Sequence, residues 1–480
     1  MIQAIDCKVR MATLALGASA LLGACGPQQA GDDVTELRTS AVLASNSLLA
    51  TATLDRATDF TPFTDTLENG MPQNVLGGIG SGLAWAGGTT FLGVPDRGPN
   101  ATAYTNGGPI DNTTSFIARL ETLDLRLGRA PEGSALPFTL TPTLLGTTLL
   151  SSEAPLIYGN TAGLPSGVPV DNGERTFYFT GRSDNFGAGV STNPNFGRFD
   201  PEAIRVARDG KTVFVTDEYG PYVYQFDRAT GRRIRSYQLP DYFAVPNLNA
   251  TGALEISGNT IGRVTNKGAE GLAITPDGRF LVVLMQSPLI QDGGDGGRAN
   301  RLVMIHIESG RTFQYVYDNR IGSKNYNSSE IIALNDHQFL IDTRDGKGLG
   351  DGSVAVIKQL WAVDIAGATD IGPLNIQGEK NLLAYAVPKK LFLDIVSVLS
   401  ANGVATTDIP AKIEGLAFGP DVESRGVRMH TLYVANDNDF LPAVAGPNRW
   451  YVFGFTDADL IAVGLSYAPQ QITELRPTSR

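Results

Sequence analysis

Carboxylates and arginines recur at a regular spacing in this sequence. A glutamate or a serine opens a short apolar run, and further polar residues follow roughly fifteen positions later in most copies. The pairs are Glu202 with Asp217 and Glu218, Glu270 with Gln286, Glu330 with Arg344 and Asp345, Glu414 with Asn436 and Asp437, and Ser81 with Asp96 and Arg97. Side chains of these types, brought to one place, could hold a cation, transfer protons or bind an anionic group through arginine.

Each pair flanks two short apolar runs that are separated by a turn, often rich in Asp and Gly, which predicts a β-hairpin. The turn Pro276-Asp277-Gly278 between Glu270 and Gln286 is an example. In an antiparallel hairpin the start of one strand lies beside the end of the next, so both members of a pair should lie at the same edge. The motif occurs five times and further apolar runs follow most copies. Four antiparallel strands per repeat predict the blades of an all-β propeller. A β-sandwich is the alternative, but it does not require a repeated motif.

Two segments at the ends of the chain could complete a shared closing blade, and the sequence therefore allows five or six blades. These segments are residues 43–54 and 461–475. Two long insertions also stand out. Glu153–Asn195 is rich in Gly, Pro and Asn, and Pro388–Ala401 predicts one short helix that ends before Gly403.

The innermost strands of a propeller line its central channel, so the polar pairs should converge on one mouth. Like-charged carboxylates at such a mouth repel one another unless their pKa values rise, arginines pair with them or a cation binds. Ca²⁺ suits such a site because it accepts several carboxylate oxygens at flexible geometry. The alternative is that the glutamates cap backbone N–H groups at blade edges. The predicted metal ligands are Asp96, Glu202, Asp217, Glu218, Glu270, Glu330, Glu414 and Asp437.

Several other function classes are disfavoured. The sequence has no Gly-x-Ser-x-Gly nucleophile motif, no phosphate-binding loop and no dinucleotide fingerprint. Three scattered histidines make a zinc site improbable, and His306 and His337 lie in apolar strand patterns that predict core or turn positions. The formal net charge of −11 argues against nucleic-acid binding. The segment Asp292–Gly297 is interpreted as a loop rather than a cation site.

The N-terminus predicts export. Lys8 and Arg10 precede an apolar run over residues 11–22, which is too short to cross a bilayer core of ~30 Å and indicates a signal peptide over residues 1–24. The run ends in Leu22-Gly23-Ala24-Cys25, which resembles the lipobox of bacterial lipoproteins, and this resemblance implies lipidation of Cys25. Gly26 at the following position favours the outer membrane. Ordinary cleavage near Ala24 is the alternative. Residues 25–40 predict a flexible tether before a propeller over residues 41–480.

Five motifs together resemble the phytase-like family over roughly residues 77–440. They are the Glu-Gly-Leu repeats, Asp96-Arg97-Gly98, Asp200-Pro201-Glu202, Thr216-Asp217-Glu218-Tyr219 and Lys412-Ile413-Glu414-Gly415-Leu416. The resemblance implies six blades and, by analogy with β-propeller phytases, Ca²⁺ ions that bridge phosphate to acidic side chains. The chain departs from the family at Asp342-Thr343-Arg344-Asp345, where Glu-Arg-Asp is common.

Two functions follow from this resemblance and from the acidic mouth. The first is a Ca²⁺-dependent hydrolase of a small phosphorylated or ester substrate. Its predicted catalytic residues are Arg97, Arg344, Glu202, Glu270 and Glu414. The protein would be a monomer that contacts the membrane only through its lipid. The second is a non-catalytic propeller on the outer membrane that binds a ligand or a partner at the same mouth.

Overall fold

The protein folds into five antiparallel four-stranded sheets, in a computed structural model that describes residues 41–101, 113–159 and 167–473. The first strand is β1 (Leu48–Leu54), and blade 1 comprises β2 (Gly82–Trp85), β3 (Thr90–Val94), β4 (Arg119–Arg129) and β5 (Phe138–Leu149). The short pair β6 (Ser151–Ser152) and β7 (Phe177–Tyr178) precedes blade 2, which comprises β8 (Pro201–Val206), β9 (Thr212–Asp217), β10 (Tyr222–Asp227) and β11 (Arg233–Gln238). Blade 3 comprises β12 (Ala269–Ile274), β13 (Phe280–Met285), β14 (Ala299–His306) and β15 (Thr312–Asp318).

The remaining strands complete the ring. The short pair β16 (Arg320–Ile321) and β17 (Lys324–Asn325) is followed by blade 4, with β18 (Asn327–Ala333), β19 (Gln338–Arg344), β20 (Lys358–Asp364) and β21 (Lys389–Asp394). Blade 5 comprises β22 (Ile413–Ser424), β23 (Val427–Asn436), β24 (Asn448–Phe455) and β1. Buried apolar clusters fill the spaces between neighbouring blades.

The inner strands of the blades form a closed ring. In chain order β2, β8, β12, β18 and β22 each contact the next, and β22 contacts β2. The predicted all-β propeller is therefore confirmed, with five blades in the described part of the chain. The sixth blade that family analogy favoured is not confirmed, because the ring of inner strands closes without it.

Glycine in the Glu-Gly-Leu motif has a packing role at this ring. A Cβ atom on Gly271 would lie 2.8 Å from the backbone nitrogen of Ile331 in the next inner strand. A Cβ atom on Gly415 would lie 2.8 Å from the carbonyl oxygen of Gly80. Because these contacts are with backbone, only glycine allows the inner strands to approach this closely.

The N-terminal strand closes the last blade. β1 pairs antiparallel with β24, so the prediction for residues 43–54 is confirmed over Leu48–Leu54. The prediction for the C-terminal segment 461–475 was wrong for its described residues, because none of residues 461–473 is in a strand. That segment instead runs along the face of the propeller and donates a backbone hydrogen bond from Ala468 to Leu334 at 2.8 Å.

The helix predicted over Pro388–Ala401 is confirmed over Ile395–Ala401 and wrong for the residues before it. Its first part is the outer strand β21 of blade 4, and the helix begins only at Ile395, where the Asp394 carboxylate accepts a hydrogen bond from the Ser397 amide at 2.8 Å. The short helices of the described residues are α1 (Gly252–Ser257), α2 (Glu379–Leu382), α3 (Ile395–Ala401), α4 (Pro442–Ala445) and α5 (Asp457–Ile461). Single 3₁₀ turns lie at Ser45–Ser47, Asp241–Phe243, Ile290–Asp292, Gly372–Leu374 and Leu383–Tyr385. None of the described helices is long and apolar enough to cross a membrane.

The segment Glu153–Asn195 packs beside blade 2. Among its described residues, regular structure is limited to β7, which pairs with β6 of the preceding segment. The ring of Phe179 packs against Phe199 at a centroid distance of 5.4 Å, which fixes the segment to the start of blade 2. The predicted signal peptide, Cys25 and the tether lie outside the described residues.

Candidate metal and catalytic site

Polar residues reach one mouth of the channel because the inner strands begin with irregular pairing. The register shifts between Pro201 and Ile204 in β8, and between Ala269 and Gly271 in β12. Similar shifts lie beside Glu330 in β18 and across Glu414 in β22. A β-bulge redirects side chains locally, and bulges are over-represented beside active sites. The direction of the Glu202, Glu270, Glu330 and Glu414 side chains is therefore set by these bulges, whereas Glu218 directly follows β9.

Three glutamates from two neighbouring blades form the first acidic cluster. One carboxylate oxygen from each of Glu202, Glu218 and Glu270 lies within 4.8 Å of the others. Glu218 accepts a hydrogen bond from the Gly268 amide at 3.0 Å, and Glu270 Oε1 accepts one from Gln286 at 2.5 Å. Glu270 Oε2 is buried and has no hydrogen-bond partner among the described residues. We call these three residues the glutamate cluster.

The charge of the glutamate cluster is poorly compensated. Within the part of the chain that the structure describes, no lysine or arginine lies within 4.0 Å of its carboxylates. Burial, followed by the charge of Asp200, raises the pKa of Glu218 to about 8. Desolvation and the neighbouring carboxylates, Glu270 foremost, raise the pKa of Glu202 well above its usual range. Burial and Glu218 do the same for Glu270. Either protons or a cation must therefore neutralise this cluster near neutral pH.

A second acidic cluster already contains a cation. Oxygen atoms of Asp96, Asp437 and Asp439 lie within 4.8 Å of one another, and Lys412 forms ion pairs with Asp437 at 2.8 Å and with Asp439. Burial would raise the pKa of Asp437, but the Lys412 ammonium group lowers it below the usual value. Burial would lower the pKa of Lys412, but Asp437, Glu414 and Asp439 raise it well above its usual range. The lysine thus already pairs with two of the three carboxylates of this cluster.

A third group connects these two. Asp96, Asp200 and Glu202 also have oxygen atoms within 4.8 Å of one another. Asp200 is bound by Arg97 through its guanidinium group at 2.8 Å and through its backbone amide at 3.0 Å. Asp96 accepts a hydrogen bond from the Gly98 amide at 2.9 Å. The carboxylates therefore run continuously around the mouth, and Arg97 neutralises one of them.

Arg344 lies at a different part of the mouth from Arg97, beside Glu414. Its guanidinium group forms an ion pair with Glu414 and donates from Nε to the Ser329 hydroxyl at 2.8 Å. Burial raises the pKa of Glu414 to about 7 although Arg344 and Lys412 oppose that shift. The side chains of Arg97 and Arg344 retain 15% and 12% of their exposure. Both are ordered by carboxylates and both can still be reached from the mouth.

Three of the predicted ligands lie outside these clusters, namely Glu414, which pairs with Arg344, and also Glu330 and Asp217. Glu330 Oε1 accepts hydrogen bonds from the amides of Leu272 and Ile331 at 2.9 Å each, and Oε2 pairs with Arg205 at 3.0 Å. Asp217 Oδ1 accepts from the amides of Asp200 at 3.2 Å and Tyr219 at 3.1 Å. The sequence also allowed that the glutamates only cap backbone N–H groups. The contacts of Glu330 fit that alternative.

Three residues of the mouth were absent from the predicted ligands and catalytic residues. Asp200 and Lys412 each lie two positions before a glutamate of the repeat, and Asp439 lies two positions after Asp437. This alternate spacing is the signal that could have identified them, because residues two apart in an extended segment face the same side. Lys412 in particular changes the charge of the second cluster.

The histidines and the glycine-rich loop take no part in the mouth. His306 Nδ1 lies 2.8 Å from the hydroxyl of Ser309 in a turn, and His337 Nδ1 lies 2.8 Å from Asp364. Asp292 pairs with Arg301 at 2.7 Å and accepts from the Gly378 amide at 2.9 Å. Its carboxylate is therefore already satisfied within the fold, and the interpretation of this segment as a loop agrees with these contacts.

Fold and site together define a five-bladed propeller with a buried acidic mouth flanked by arginines. The chain belongs to the Phytase-like family, whose description is "Esterase-like activity of phytase", because that family's sequence model matches residues 74–440. An "Uncharacterized secreted protein" of Arthroderma benhamiae is 32% identical over 271 residues, which are 50% of this chain. The match spans 47% of that relative's length.

Solved structures resemble the chain only distantly. Hydrazine synthase of Kuenenia stuttgartiensis has a TM-score of 0.31 and 13% identity, over 77% of this chain and 79% of the other. Glutaminyl cyclase of Myxococcus xanthus has a TM-score of 0.31 and 10% identity, over 85% of this chain and 98% of the other. Likenesses this weak carry no functional argument.

Proposed function

We propose that this protein is an exported, metal-dependent hydrolase of small phosphoric or carboxylic esters, with its site at the acidic mouth. The observation that carries the proposal is the glutamate cluster, formed by Glu202, Glu218 and Glu270. Three carboxylates converge there without an ion-pairing lysine or arginine among the described residues, and one oxygen, Glu270 Oε2, has no hydrogen-bond partner among them. Such an arrangement is costly unless a cation compensates it.

Ca²⁺ fits the donor set of the glutamate cluster. The ligands are hard carboxylate oxygens, which Ca²⁺ prefers, and a soft or nitrogen ligand is not among them. When bound, the ion would neutralise the carboxylates, attract an anionic substrate group and polarise it. The second cluster is the poorer candidate because Lys412 already pairs with two of its three carboxylates.

The protein's own residues would bind and orient the substrate. Arg97 and Arg344 lie on two sides of the mouth, each fixed by one carboxylate and each partly exposed. A guanidinium group in such a position binds phosphate or carboxylate oxygens and stabilises negative charge that develops on them. Glu414, whose pKa burial raises to about 7, is suited to hold or release a proton near neutral pH.

Export and lipid attachment form part of the proposal. The apolar run before Cys25 supports export, and the relative from Arthroderma benhamiae is described as secreted. Lipidation of Cys25 would attach the mature protein to the outer membrane, with residues 25–40 as a tether. The propeller would act as a monomer.

The decisive experiment measures hydrolysis by the purified protein. We expect turnover of para-nitrophenyl phosphate or para-nitrophenyl acetate in the presence of Ca²⁺, and loss of that turnover with chelator. Glu202→Gln should abolish it, whereas the exposed control Glu308→Gln should not. If Ca²⁺ binds with no turnover of either ester, the mouth is a ligand-binding site, as the alternative function holds.

A further inference from the structure

Positive charge is concentrated at the end of the propeller opposite the acidic mouth. Strands β8 and β12 begin at the mouth, so the turns that follow them, at residues 207–211 and 275–279, lie at the other end. Residues 227–235 of blade 2 and 306–311 of blade 3 form the next turns at this end. The four segments contain eight arginines and lysines but four carboxylates, in a chain whose formal net charge is −11.

Contacts between blades 2 and 3 join these segments into one surface. Arg208 Nη1 donates to the carbonyl of Asp277 at 3.3 Å. Arg235 Nη1 donates to the carbonyl of Ile307 at 3.1 Å, and the Ile307 amide donates to the carbonyl of Arg279 at 2.9 Å. We call this surface the basic face, and its exposed cations are Arg208, Lys211, Arg232, Arg235, Arg279 and Arg311.

Most cations of the basic face have no carboxylate partner. Arg232 forms an ion pair with Glu153 at 3.4 Å. Arg279 forms one with Asp277 of its own turn. The other four have no carboxylate oxygen within 4.0 Å among the described residues. Their positive charge is therefore available to an anionic partner.

Acidic residues on and beside the basic face reduce its charge but do not cancel it. They are Asp209, Asp227, Asp277 and Glu308 within the four segments, and Glu153 and Asp336 at the borders. The Asp209 carboxylate accepts a hydrogen bond from the Lys211 amide at 2.8 Å, and that of Asp227 accepts one at 2.9 Å within its own turn. Even with both border residues counted, eight cations face six carboxylates.

Distance separates the basic face from the carboxylates of the acidic mouth. Strand β8 has six residues and spans about 20 Å between the two ends of the propeller. The Debye length at physiological ionic strength is about 8 Å. An anionic surface that touches the basic face therefore interacts with the arginines there and is largely screened from the mouth.

The basic face combines arginines with aromatic and apolar side chains. Cζ of Arg235 lies 4.3 Å from the centroid of the Tyr237 ring, and Cζ of Arg311 lies 4.6 Å from that of Phe313. Ile234 precedes Arg235 and is 56% exposed. Arginines beside exposed apolar side chains suit the boundary between lipid headgroups and acyl chains.

A membrane would be within reach of the basic face. Lipidation of Cys25 would leave residues 25–40 between the bilayer and the described part of the chain. Sixteen residues span at most about 55 Å, which exceeds the height of about 20 Å of a blade. The propeller could therefore turn its basic face toward the bilayer.

We propose that the basic face docks on the anionic headgroups of the membrane to which the protein is attached, where Arg208, Arg235 and Arg311 bind phosphate oxygens. The acidic mouth then opens away from the bilayer. This orientation rests on the proposed lipid attachment but not on ester hydrolysis. It adds a contact from the protein to the lipid contact that the sequence predicts. Such docking is reversible and sensitive to salt, so it does not replace the anchor.

Vesicle sedimentation tests the docking separately from lipid attachment, with the full-length Cys25→Ser protein. EDTA is present, so that Ca²⁺ cannot bridge the acidic mouth to the headgroups. We expect binding to vesicles of phosphatidylcholine with a quarter of phosphatidylglycerol to be about tenfold or more stronger than binding to phosphatidylcholine alone. It should weaken as NaCl is raised. Absence of binding to the anionic vesicles, or equal binding to both kinds, would overturn the proposal.

Two double variants locate the surface that binds. Arg235→Glu with Arg311→Glu should weaken binding to the anionic vesicles about tenfold or more. The control, Arg320→Glu with Lys324→Glu, makes the same change of charge at exposed positions near the mouth and should leave binding unchanged. Equal losses in both would mean that net charge alone governs binding, and would contradict the proposal. Circular dichroism confirms folding, and if the first variant does not fold, the comparison of the two vesicle types decides.

Discussion

Glu270 and Gln286 lie side by side at the open end of one β-hairpin, and Gln286 Nε2 donates a hydrogen bond of 2.5 Å to Glu270 Oε1. This bond orients the Glu270 carboxylate and satisfies one of its oxygens. The other oxygen, Oε2, is buried and has no hydrogen-bond partner among the described residues. A hairpin thus supplies both a proposed ligand and the residue that positions it.

Removing charge from the mouth tests its role in activity. Glu270→Gln and Glu414→Gln should each abolish ester hydrolysis, because the first removes a proposed ligand and the second removes the partner of Arg344. The double variant should be no worse than either single one, because residues that act as a unit fail together. The measurement is activity per folded molecule, with Glu308→Gln as the matched control. Full activity in both single variants would mean that the glutamates are structural.

Calcium should stabilise the protein in a pH-dependent way. Because burial and Asp200 raise the pKa of Glu218 to about 8, the free protein holds a proton there at pH 6 that a cation must displace. The Ca²⁺-induced rise in Tm should therefore be larger at pH 8.5 than at pH 6. Differential scanning calorimetry with and without Ca²⁺ measures it. A rise that is absent at both pH values would remove the metal from the site.

A buried glutamate in blade 1 should limit stability at alkaline pH. Burial, then Asp59, raises the pKa of Glu121 from 4.5 to about 8, and its Oε1 has no partner among the described residues. The folded state therefore holds this proton more tightly than the unfolded state, and stability falls as pH rises from about 4.5 toward 8.

Glu121→Gln should remove this loss of folding stability at alkaline pH. The variant should be more stable than the parent at pH 8, by about 1–3 kcal/mol, and about equal to it at pH 5. Urea unfolding at the two pH values gives the comparison, and Glu308→Gln should change neither value. Equal destabilisation of the Gln variant at both pH values would contradict this assignment.

The close approach of inner strands at Gly271 predicts that any side chain at this position destabilises the fold. Gly271→Ala places a Cβ atom 2.8 Å from the Ile331 nitrogen and 2.9 Å from the Glu330 Cα, and should destabilise the protein by about 1–3 kcal/mol. Gly128→Ala in strand β4 is the matched control, because nothing lies within 4 Å of its Cβ position. Equal unfolding free energies for both variants would show that the inner ring can relax.

Lipid attachment is tested at Cys25. Cys25→Ser should yield a protein that is no longer recovered with the membrane fraction and whose mass lacks the acyl chains. The expected result follows because two or more acyl chains are needed for stable anchoring. Unchanged fractionation and mass would instead support ordinary cleavage near Ala24.

The local repeat was readable in the sequence, whereas contacts between distant blades were not. Period and turn residues placed Glu202, Glu218 and Glu270 at one edge, and the structure brings those three together. Glu330 has the same position in its repeat, yet it binds Arg205 from another blade, which no local pattern encodes. The number of blades could not be predicted from the sequence either, because it depends on how the inner strands pack around the ring.

The wrong helix boundary has a local cause. Leu391, Phe392 and Leu393 form an apolar run that is compatible with a helix or with a buried strand. Pairing with β20 decides in favour of the strand, and that partner lies earlier in the chain. The helix begins only where Asp394 can cap it.

The pairing of β1 with β24 has a consequence for the order of biosynthesis. The ribosome makes β1 before all other strands and β24 after blades 1 to 4. The pairing between β1 and β24 therefore cannot form until translation is nearly complete. Until then β1 has no partner strand, and its unpaired backbone groups are a liability for aggregation. A circular permutant in which β1 directly follows β24 would convert this long-range pairing into a local hairpin. It should fold faster, because the loop that must close becomes short.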